Sequence, residues 1–118
     1  QTFICFPFEP KNTQLESCIT RTSVWDDLKT MAISRLMLDN VHNIKAYWVM
    51  LTLPVAQLAL GFGANDIDGT IQEEKIMHAA GAKSSRSLSK ETLIANIREA
   101  GRIAAECDCN FNILRILK

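Results

Sequence analysis

The stretch of this sequence best suited to chemistry is "GANDIDGT", Gly63–Thr70, in which two carboxylates and an amide follow an apolar run. Asp66 and Asp68 could accept hydrogen bonds from the hydroxyl or amine groups of a ligand, because charges beside an apolar core need partners. Thr70 and Glu73 also match a capping box at the start of a helix, and the Asp-Gly pair is typical of an ordinary turn. The residues alone leave these alternatives open.

Two other kinds of site are excluded from this stretch by spacing. A phosphate loop of the G-x-G-x-x-G type requires glycine where Asp66 stands, and the acidic residues would repel a phosphate. A calcium loop of the EF-hand type requires its invariant glycine at Gly69. That alignment places Ala64 at the first ligand position and Lys75 where a bidentate glutamate is needed.

The cysteines and histidines do not form a recognisable catalytic or metal-binding pattern. The two histidines, His42 and His78, lie far apart in the sequence, and no Ser-His-Asp or Cys-His arrangement is legible. The cysteines do not have the spacing of a disulfide framework or a zinc site, and they are expected to be reduced thiols in a cytoplasmic protein. They are Cys5, Cys18, Cys107 and Cys109. The catalytic residues stay unknown, and no metal ligand is assigned.

Composition limits the class of protein and its partners. The 118 residues suffice for one domain or a piece of one, and the 13 basic residues balance the 13 acidic ones. That balance gives no support for a nucleic-acid or membrane-surface partner. No apolar stretch approaches the roughly 20 residues that span a bilayer. The chain begins "QTFICF", as if within a strand, so we expect it to be a fragment.

The first half of the chain is predicted to alternate strands and helices. An apolar run rich in aromatic and β-branched residues predicts a strand over Thr2–Phe8, followed by the polar loop "EPKNTQLES". Ser23, with Asp26 three residues later, predicts a capping box that opens a helix. A second strand is predicted over Ile44–Leu51, with Tyr47 and Trp48 pointing to opposite faces. The helix between the strands has one apolar stripe, formed by Leu28, Met31, Ala32 and Leu36.

The second half continues the alternation and ends in helices. Pro54 suits the first position of a short, heavily buried helix, and a very short strand is predicted around Asn65–Asp68. The segment "TIQEEKIMHAAG" is helical in composition. Ser89 is predicted to cap a long final helix with Glu91 in its first turn. The apolar face of that helix comprises Leu93, Ile94, Ile97, Ala100 and Ala104.

This order of elements predicts an α/β fold with a parallel sheet. Near-continuous apolar strands that alternate with helices are typical of βαβ units covered on both faces. Three units form either a small open sheet or part of a (β/α)8 barrel, which needs about 250 residues. In both architectures the chemistry lies beyond the carboxyl ends of the strands. "EPKNT" and "GANDIDGT" are therefore predicted at functional positions.

Read together, the segments resemble the C-terminal part of radical S-adenosylmethionine enzymes of the aminofutalosine synthase family. The resemblance rests on "SRLMLDNVHNIKAYWVML", "AQLALGFGANDIDGTIQEEKIMHAAGA", "LIANIREAGRIAAE" and the N-terminal "FPFEPKNTQLE". Related groups are the cyclic dehypoxanthinylfutalosine synthases and the FO synthases. The tail departs from the family pattern, because "ECDCNFN" stands where a segment like E-R-D-T-x-Y-N is expected.

The resemblance implies a fold and an activity. The fold is a (β/α)8 TIM-type barrel, of which residues 1–118 are about three C-terminal βα units plus a C-terminal helical extension. The cofactors are a 4Fe–4S cluster, bound by a C-x3-C-x2-C loop that is absent here, and S-adenosylmethionine. The full-length enzyme joins a 5′-deoxyadenosyl radical to a carboxyvinyloxy-benzoate to make aminofutalosine in menaquinone biosynthesis. This fragment alone is expected to be inactive; the alternative is a non-catalytic α/β binding module.

The resemblance also implies partners and a binding site. The partners are a small-molecule substrate, an electron donor for the full-length enzyme and further copies of the same chain. Residues at the barrel mouth are expected to contact the substrate or S-adenosylmethionine, or to support those contacts. They are Asn12, Thr13, Asp66, Asp68, Gly69, Thr70, Glu73, Glu74 and His78.

Overall fold

The computed structural model describes residues 1–70 and 87–117, and these contain a parallel sheet, four helices and a β-hairpin. The sheet has three strands in the order β1-β2-β3, each paired in parallel with the next. In chain order the elements are β1 (Thr2–Ile4), α1 (Val24–Met37), β2 (Asn43–Ala46), α2 (Trp48–Leu51), α3 (Leu53–Ala59), β3 (Asp66–Ile67), α4 (Lys90–Glu99), β4 (Ala105–Cys107) and β5 (Ile113–Ile116). The predicted parallel α/β architecture is confirmed, and barrel closure stays a prediction.

The two faces of the sheet have different roles. Ile44 and Ala46 of β2 are fully buried and pack with Leu28 and Met31 of α1 in the hydrophobic core. Because successive side chains of a strand point to opposite faces, Lys45 projects from the other side of the sheet. The sequence therefore forms a core on one face and leaves a polar residue on the second.

Helix α1 begins as the sequence predicts but buries a different set of residues. Ser23 and Asp26 form the capping box in both directions. Leu28 and Met31 are buried, whereas Leu36 is 81% exposed, so its placement in the buried stripe was wrong. Arg35 points inward instead, because carbonyl oxygens beyond the helix accept its hydrogen bonds.

Two predicted strands are shorter in the structure. β1 ends at Ile4 rather than Phe8, and β2 ends at Ala46 rather than Leu51. The last four residues of the second apolar run form α2, in which every side chain is buried. The Tyr47 carbonyl accepts the N–H groups of Met50 and Leu51, so the chain turns helical where no strand pairs beside it. The predicted strand alternation of Tyr47 and Trp48 was wrong.

The elements after β2 agree more closely with the sequence. Pro54 occupies the second rather than the first position of α3, and β3 lies within the predicted Asn65–Asp68. Ala56 and Ala59 are buried, but Leu58 is exposed, so α3 is less buried than predicted. The predicted helix of "TIQEEKIMHAAG" lies outside the described residues, apart from its first, Thr70.

The C-terminal extension is only partly helical, which corrects the prediction. Ser89 caps α4 as predicted, but the helix ends at Glu99, so Ala104 lies beyond it. Gly101 adopts a φ of +70° after the last turn, a conformation that glycine adopts without strain. The chain then forms the antiparallel pair β4–β5. Asp108 stabilises the connecting turn by accepting the N–H groups of Asn110 and Asn112 at 2.8 and 2.9 Å.

Candidate functional site

The two carboxylates of the "GANDIDGT" stretch meet a lysine on the second face of the sheet. Lys45 pairs with Asp66 in the register of β2 and β3, so the two side chains share that face. Lys45 Nζ lies 2.8 Å from Asp68 Oδ1, to which it donates a hydrogen bond, and 3.3 Å from Asp66 Oδ2. The side chains are only 19–26% exposed. The structure thus brings together both sequence-predicted aspartates and adds a cation.

Electrostatics differ between the members of this trio. Burial raises the pKa of Asp66, and the like charge of Asp68 adds to the rise, while the attraction of Lys45 offsets part of it. Burial alone would lower the pKa of Lys45, but the hydrogen bond to Asp68 and the charges of both aspartates hold it above the usual value. Two carboxylates against one ammonium leave the trio with a net negative charge. It is therefore suited to bind hydrogen-bond donors or cations.

The trio lines a cavity of about 610 Å³ between the sheet and the C-terminal segment. One wall comprises Lys45 and residues Asp66–Thr70, so Gly69 and Thr70 also reach the cavity. The opposite wall is formed by apolar residues of α4, among them Leu93 and Ile97, and by the hairpin. The size of the cavity falls within the range of small-molecule sites, and its lining combines apolar side chains with charged ones.

The first half of the "GANDIDGT" stretch serves structure rather than ligand binding. Asn65 Oδ1 accepts the N–H of Ile44 and a guanidinium N–H of Arg35, both at 2.8 Å. Arg35 Nε also donates to the carbonyl of Gly63 at 2.8 Å. These contacts hold the start of β3 against β2 and α1. The stretch therefore runs from the start of β3 to the loop after it. Only its second half lies at the carboxyl end of the strand, where function was predicted.

The loop after β3 is also held from the core side. Trp48 is fully buried in the hydrophobic core, and its indole N–H lies 3.4 Å from the carbonyl of Gly69. At this distance the hydrogen bond is weak, but it places the backbone of the loop next to a rigid aromatic residue. The position of Asp68 and Thr70 thus depends on α2, which the sequence predicted as part of a strand.

The predicted residues of the first loop lie apart from the described cavity. Asn12 adopts a φ of +61°, and its N–H donates to Glu16 at 2.9 Å. The Thr13 hydroxyl donates to the carbonyl of Pro10 at 2.6 Å. Neither residue lines the cavity beside Asp66. Their local contacts account for the turn, and a ligand role for them stays a prediction.

Three of the predicted contact residues cannot be placed. Glu73, Glu74 and His78 lie outside the described residues, as does the capping box predicted between Thr70 and Glu73. Thr70 itself follows β3 in an irregular loop and lines the cavity.

Sequence reasoning missed four charged residues that line the cavity, Lys45, Lys90, Glu106 and Asp108. Glu106 accepts a 2.7 Å hydrogen bond from Lys90 and a 3.2 Å bond from Arg115, and the bond from Lys90 is the main cause of its lowered pKa. Lys45 could have been found, because it is the sole charged residue in the apolar run "IKAYWVML". No comparable signal marks Glu106, since its partners depend on the hairpin.

The described residues do not fit an iron–sulfur cluster. Cys5, Cys18, Cys107 and Cys109 are free thiols. Within residues 1–70 and 87–117, no three histidine, cysteine or acidic side chains lie close enough to hold a metal ion. None of the helices in these ranges is both long and apolar enough to cross a membrane.

Comparisons with known proteins identify relatives over nearly the whole chain. The family described as "CofH/MqnC C-terminal region" matches residues 1–116. The aminodeoxyfutalosine synthase of Thermus thermophilus is 40% identical over 98% of this chain and 32% of its own length. The cyclic dehypoxanthine futalosine synthase of Halalkalibacterium halodurans is 36% identical over 96% of this chain and 30% of its own length.

A third relative carries another name at similar identity. The 5-amino-6-(D-ribitylamino)uracil--L-tyrosine 4-hydroxyphenyl transferase of Archaeoglobus fulgidus is 41% identical over 94% of this chain and 33% of its own length. The chain thus spans about a third of the length of the curated relatives that it matches. Identities of 36–41% do not discriminate among the activities that these three relatives are named for.

Proposed function

The chain belongs to the family of CofH/MqnC C-terminal regions, and on this premise we propose that it is the C-terminal part of a radical S-adenosylmethionine enzyme that makes aminofutalosine. Of the three relatives, the aminodeoxyfutalosine synthase aligns with the largest share of the chain, 98%, and this coverage supports the choice of activity. The predicted resemblance to this group of enzymes is confirmed. The proposed enzyme acts in the cytoplasm, with residues 1–118 forming the last βα units of its barrel.

In this proposal the chain contributes binding contacts rather than the radical chemistry. Asp66 and Asp68 accept hydrogen bonds from hydroxyl or amine groups of the substrate or of S-adenosylmethionine, since they line the cavity with a net negative charge. The backbone of Gly69 and the hydroxyl of Thr70 complete that wall. Asn12, Thr13, Glu73, Glu74 and His78 remain proposed contacts or supports on the strength of the family resemblance.

The 4Fe–4S cluster belongs to another part of the proposed enzyme. No set of described residues fits it, so its cysteine ligands must come from chain that is not part of these 118 residues. When bound, the cluster would supply an electron, taken from an external donor, that cleaves S-adenosylmethionine to the 5′-deoxyadenosyl radical. The protein orients the reactants and excludes water. The residues of this chain act by closing and lining the cavity.

Two related activities are the second candidates. The tyrosine 4-hydroxyphenyl transferase of Archaeoglobus fulgidus matches at 41% identity, and the cyclic dehypoxanthine futalosine synthase matches at 36%. A non-catalytic binding module is the alternative of a different class. An in-frame C-x3-C-x2-C motif upstream of this region, at the distance expected for a barrel of about 250 residues, would exclude the binding module.

Product identification separates the three activities. The full-length protein, reconstituted with its cluster under anaerobic conditions, is incubated with S-adenosylmethionine and with each candidate substrate in turn. We expect aminofutalosine from the carboxyvinyloxy-benzoate and no product from the other two reactions. Formation of a cyclic dehypoxanthine futalosine, or of a tyrosine-derived adduct of the ribitylaminouracil, would assign the chain to one of the other activities instead.

A further inference from the structure

Lys45 lies at the centre of the proposed binding wall, although the family resemblance assigns it no role. Its side chain reaches from β2 to the loop after β3, where Nζ donates a 2.8 Å hydrogen bond to Asp68 Oδ1. Its contact with Asp66 Oδ2 is longer, at 3.3 Å, and Asp66 Oδ2 accepts no aligned hydrogen bond from the described residues. The lysine therefore holds Asp68 through a short hydrogen bond and Asp66 through a longer, poorly aligned contact.

From this asymmetry we infer that Lys45 is a positioning residue, which fixes Asp68 and leaves Asp66 to accept a hydrogen bond from a hydroxyl or ammonium group of the bound ligand. The inference rests on the proposed function, because it concerns the same cavity. The net negative charge of the trio favours a neutral or cationic donor over an anion. Of the two proposed reactants, S-adenosylmethionine carries hydroxyl and amine donors and a sulfonium charge beside its single carboxylate, whereas the ionised carboxyvinyloxy-benzoate carries two carboxylates and no donor.

Within residues 1–70 and 87–117, no other cation close to Asp66 is free to take over this function. The charged neighbours of Asp66 on its own side of the cavity are Asp68, in the loop after β3, and Lys45, on β2. From the opposite wall the titratable groups that line the cavity are Lys90, Glu106, Cys107, Asp108 and Cys109. Lys90 Nζ forms an ion pair with Glu106 Oε2 at 2.7 Å. Asp108 accepts the hydrogen bonds of its own turn. Lys45 is the cation that lowers the pKa of Asp66, so its removal allows that pKa to rise further.

The test compares Lys45→Met and Lys45→Arg in the full-length enzyme. Lys29→Met, which removes an exposed lysine of α1, is the matched control. The rate of product formation is measured across the acid and neutral pH range while S-adenosylmethionine and the carboxyvinyloxy-benzoate are varied separately. For Lys45→Met we expect kcat/KM for S-adenosylmethionine to fall about tenfold at the acid end of this range, as for loss of a charge-assisted hydrogen bond, and less at the neutral end.

The pH dependence distinguishes positioning from a general loss of structure. When Lys45 is removed, Asp66 becomes protonated at a higher pH. The acid limb of the plot of kcat/KM against pH therefore shifts to higher pH. Lys45→Arg should restore most of the wild-type profile, and Lys29→Met should match wild type. A fall in kcat/KM for S-adenosylmethionine that is equal at every pH would overturn the inference. A change confined to the KM of the carboxyvinyloxy-benzoate would overturn it as well.

The same proteins also separate this inference from the proposed function. Binding of labelled S-adenosylmethionine by equilibrium dialysis reports on the site without turnover. A wild-type enzyme that binds it but forms no aminofutalosine refutes the proposed function alone. The inference about Lys45 is then tested by dialysis alone. If the binding of S-adenosylmethionine to Lys45→Met depends on pH as it does for wild type, the inference is refuted.

Discussion

Replacing Thr52 with glycine should stabilise the protein, although substitutions to glycine usually destabilise. Thr52 links α2 to α3 with a φ of +75° and a ψ of 154°, a region of backbone space that is essentially reserved for glycine. A β-branched side chain is especially unfavourable at positive φ. The Thr52 side chain makes no capping hydrogen bond that would offset the strain.

The size of the gain follows from two opposing terms. Relief of the strain contributes about 1–3 kcal/mol. The greater freedom of glycine in the unfolded chain costs about 0.5–1 kcal/mol. The difference between these terms is about 0–2.5 kcal/mol, so from the middle of both ranges the Thr52→Gly variant should gain about 1 kcal/mol in the free energy of unfolding.

Urea unfolding followed by tryptophan fluorescence measures this difference, because Trp48 is fully buried in the adjacent α2. Thr52→Ala is the matched control, since alanine keeps a Cβ atom at the same φ and should stay within about 0.5 kcal/mol of wild type. A lower unfolding midpoint for Thr52→Gly would refute the strain argument. An equal gain in Thr52→Ala would show instead that the threonine side chain, rather than the backbone, is unfavourable.

Two further substitutions test the sheet and the carboxylate trio. Gly63→Ala should destabilise by about 2–5 kcal/mol, through strain and overpacking, because Gly63 has a φ of +103° and a new Cβ would lie 2.7 Å from Arg35 Cβ. Gly101→Ala, with a φ of +70° and open space, should lose only about 1–2 kcal/mol in the same urea assay, and an equal loss in both would contradict the packing argument. Asp66→Asn should raise the unfolding midpoint at neutral pH while weakening ligand binding, because a raised pKa means that ionised Asp66 opposes folding. The gain should disappear as the pH falls below the usual aspartate value of about 3.9, and a gain that persists there would contradict the linkage.

The order of the first elements could be predicted because their signals are local. The capping box at Ser23 depends on residues within one turn, and the short strand β3 is bounded by polar residues on both sides. Pattern alone could not separate strand from helix over Trp48–Leu51, because a fully buried segment is apolar in either form. What decides between them is the end of strand pairing at Ala46, a tertiary feature.

The site could be predicted in part for the same reason. Asp66 and Asp68 were found because carboxylates at the end of an apolar strand require partners. Lys45 was missed because its contact with them depends on the register between two strands. The inward position of Arg35 likewise depends on carbonyl groups beyond its own helix, among them that of Gly63. The hairpin after α4 was missed because its strands are short and mostly exposed.

The most direct test of the proposed function follows the adenosyl group of S-adenosylmethionine. The reconstituted full-length protein is supplied with S-adenosylmethionine labelled in its 5′-deoxyadenosyl part and with the carboxyvinyloxy-benzoate, and the products are separated and identified by mass. If the chain belongs to an aminofutalosine-forming enzyme, the label will be found covalently joined to the benzoate-derived part of the product. Label found only in free 5′-deoxyadenosine, with no coupled product, would contradict the proposed function.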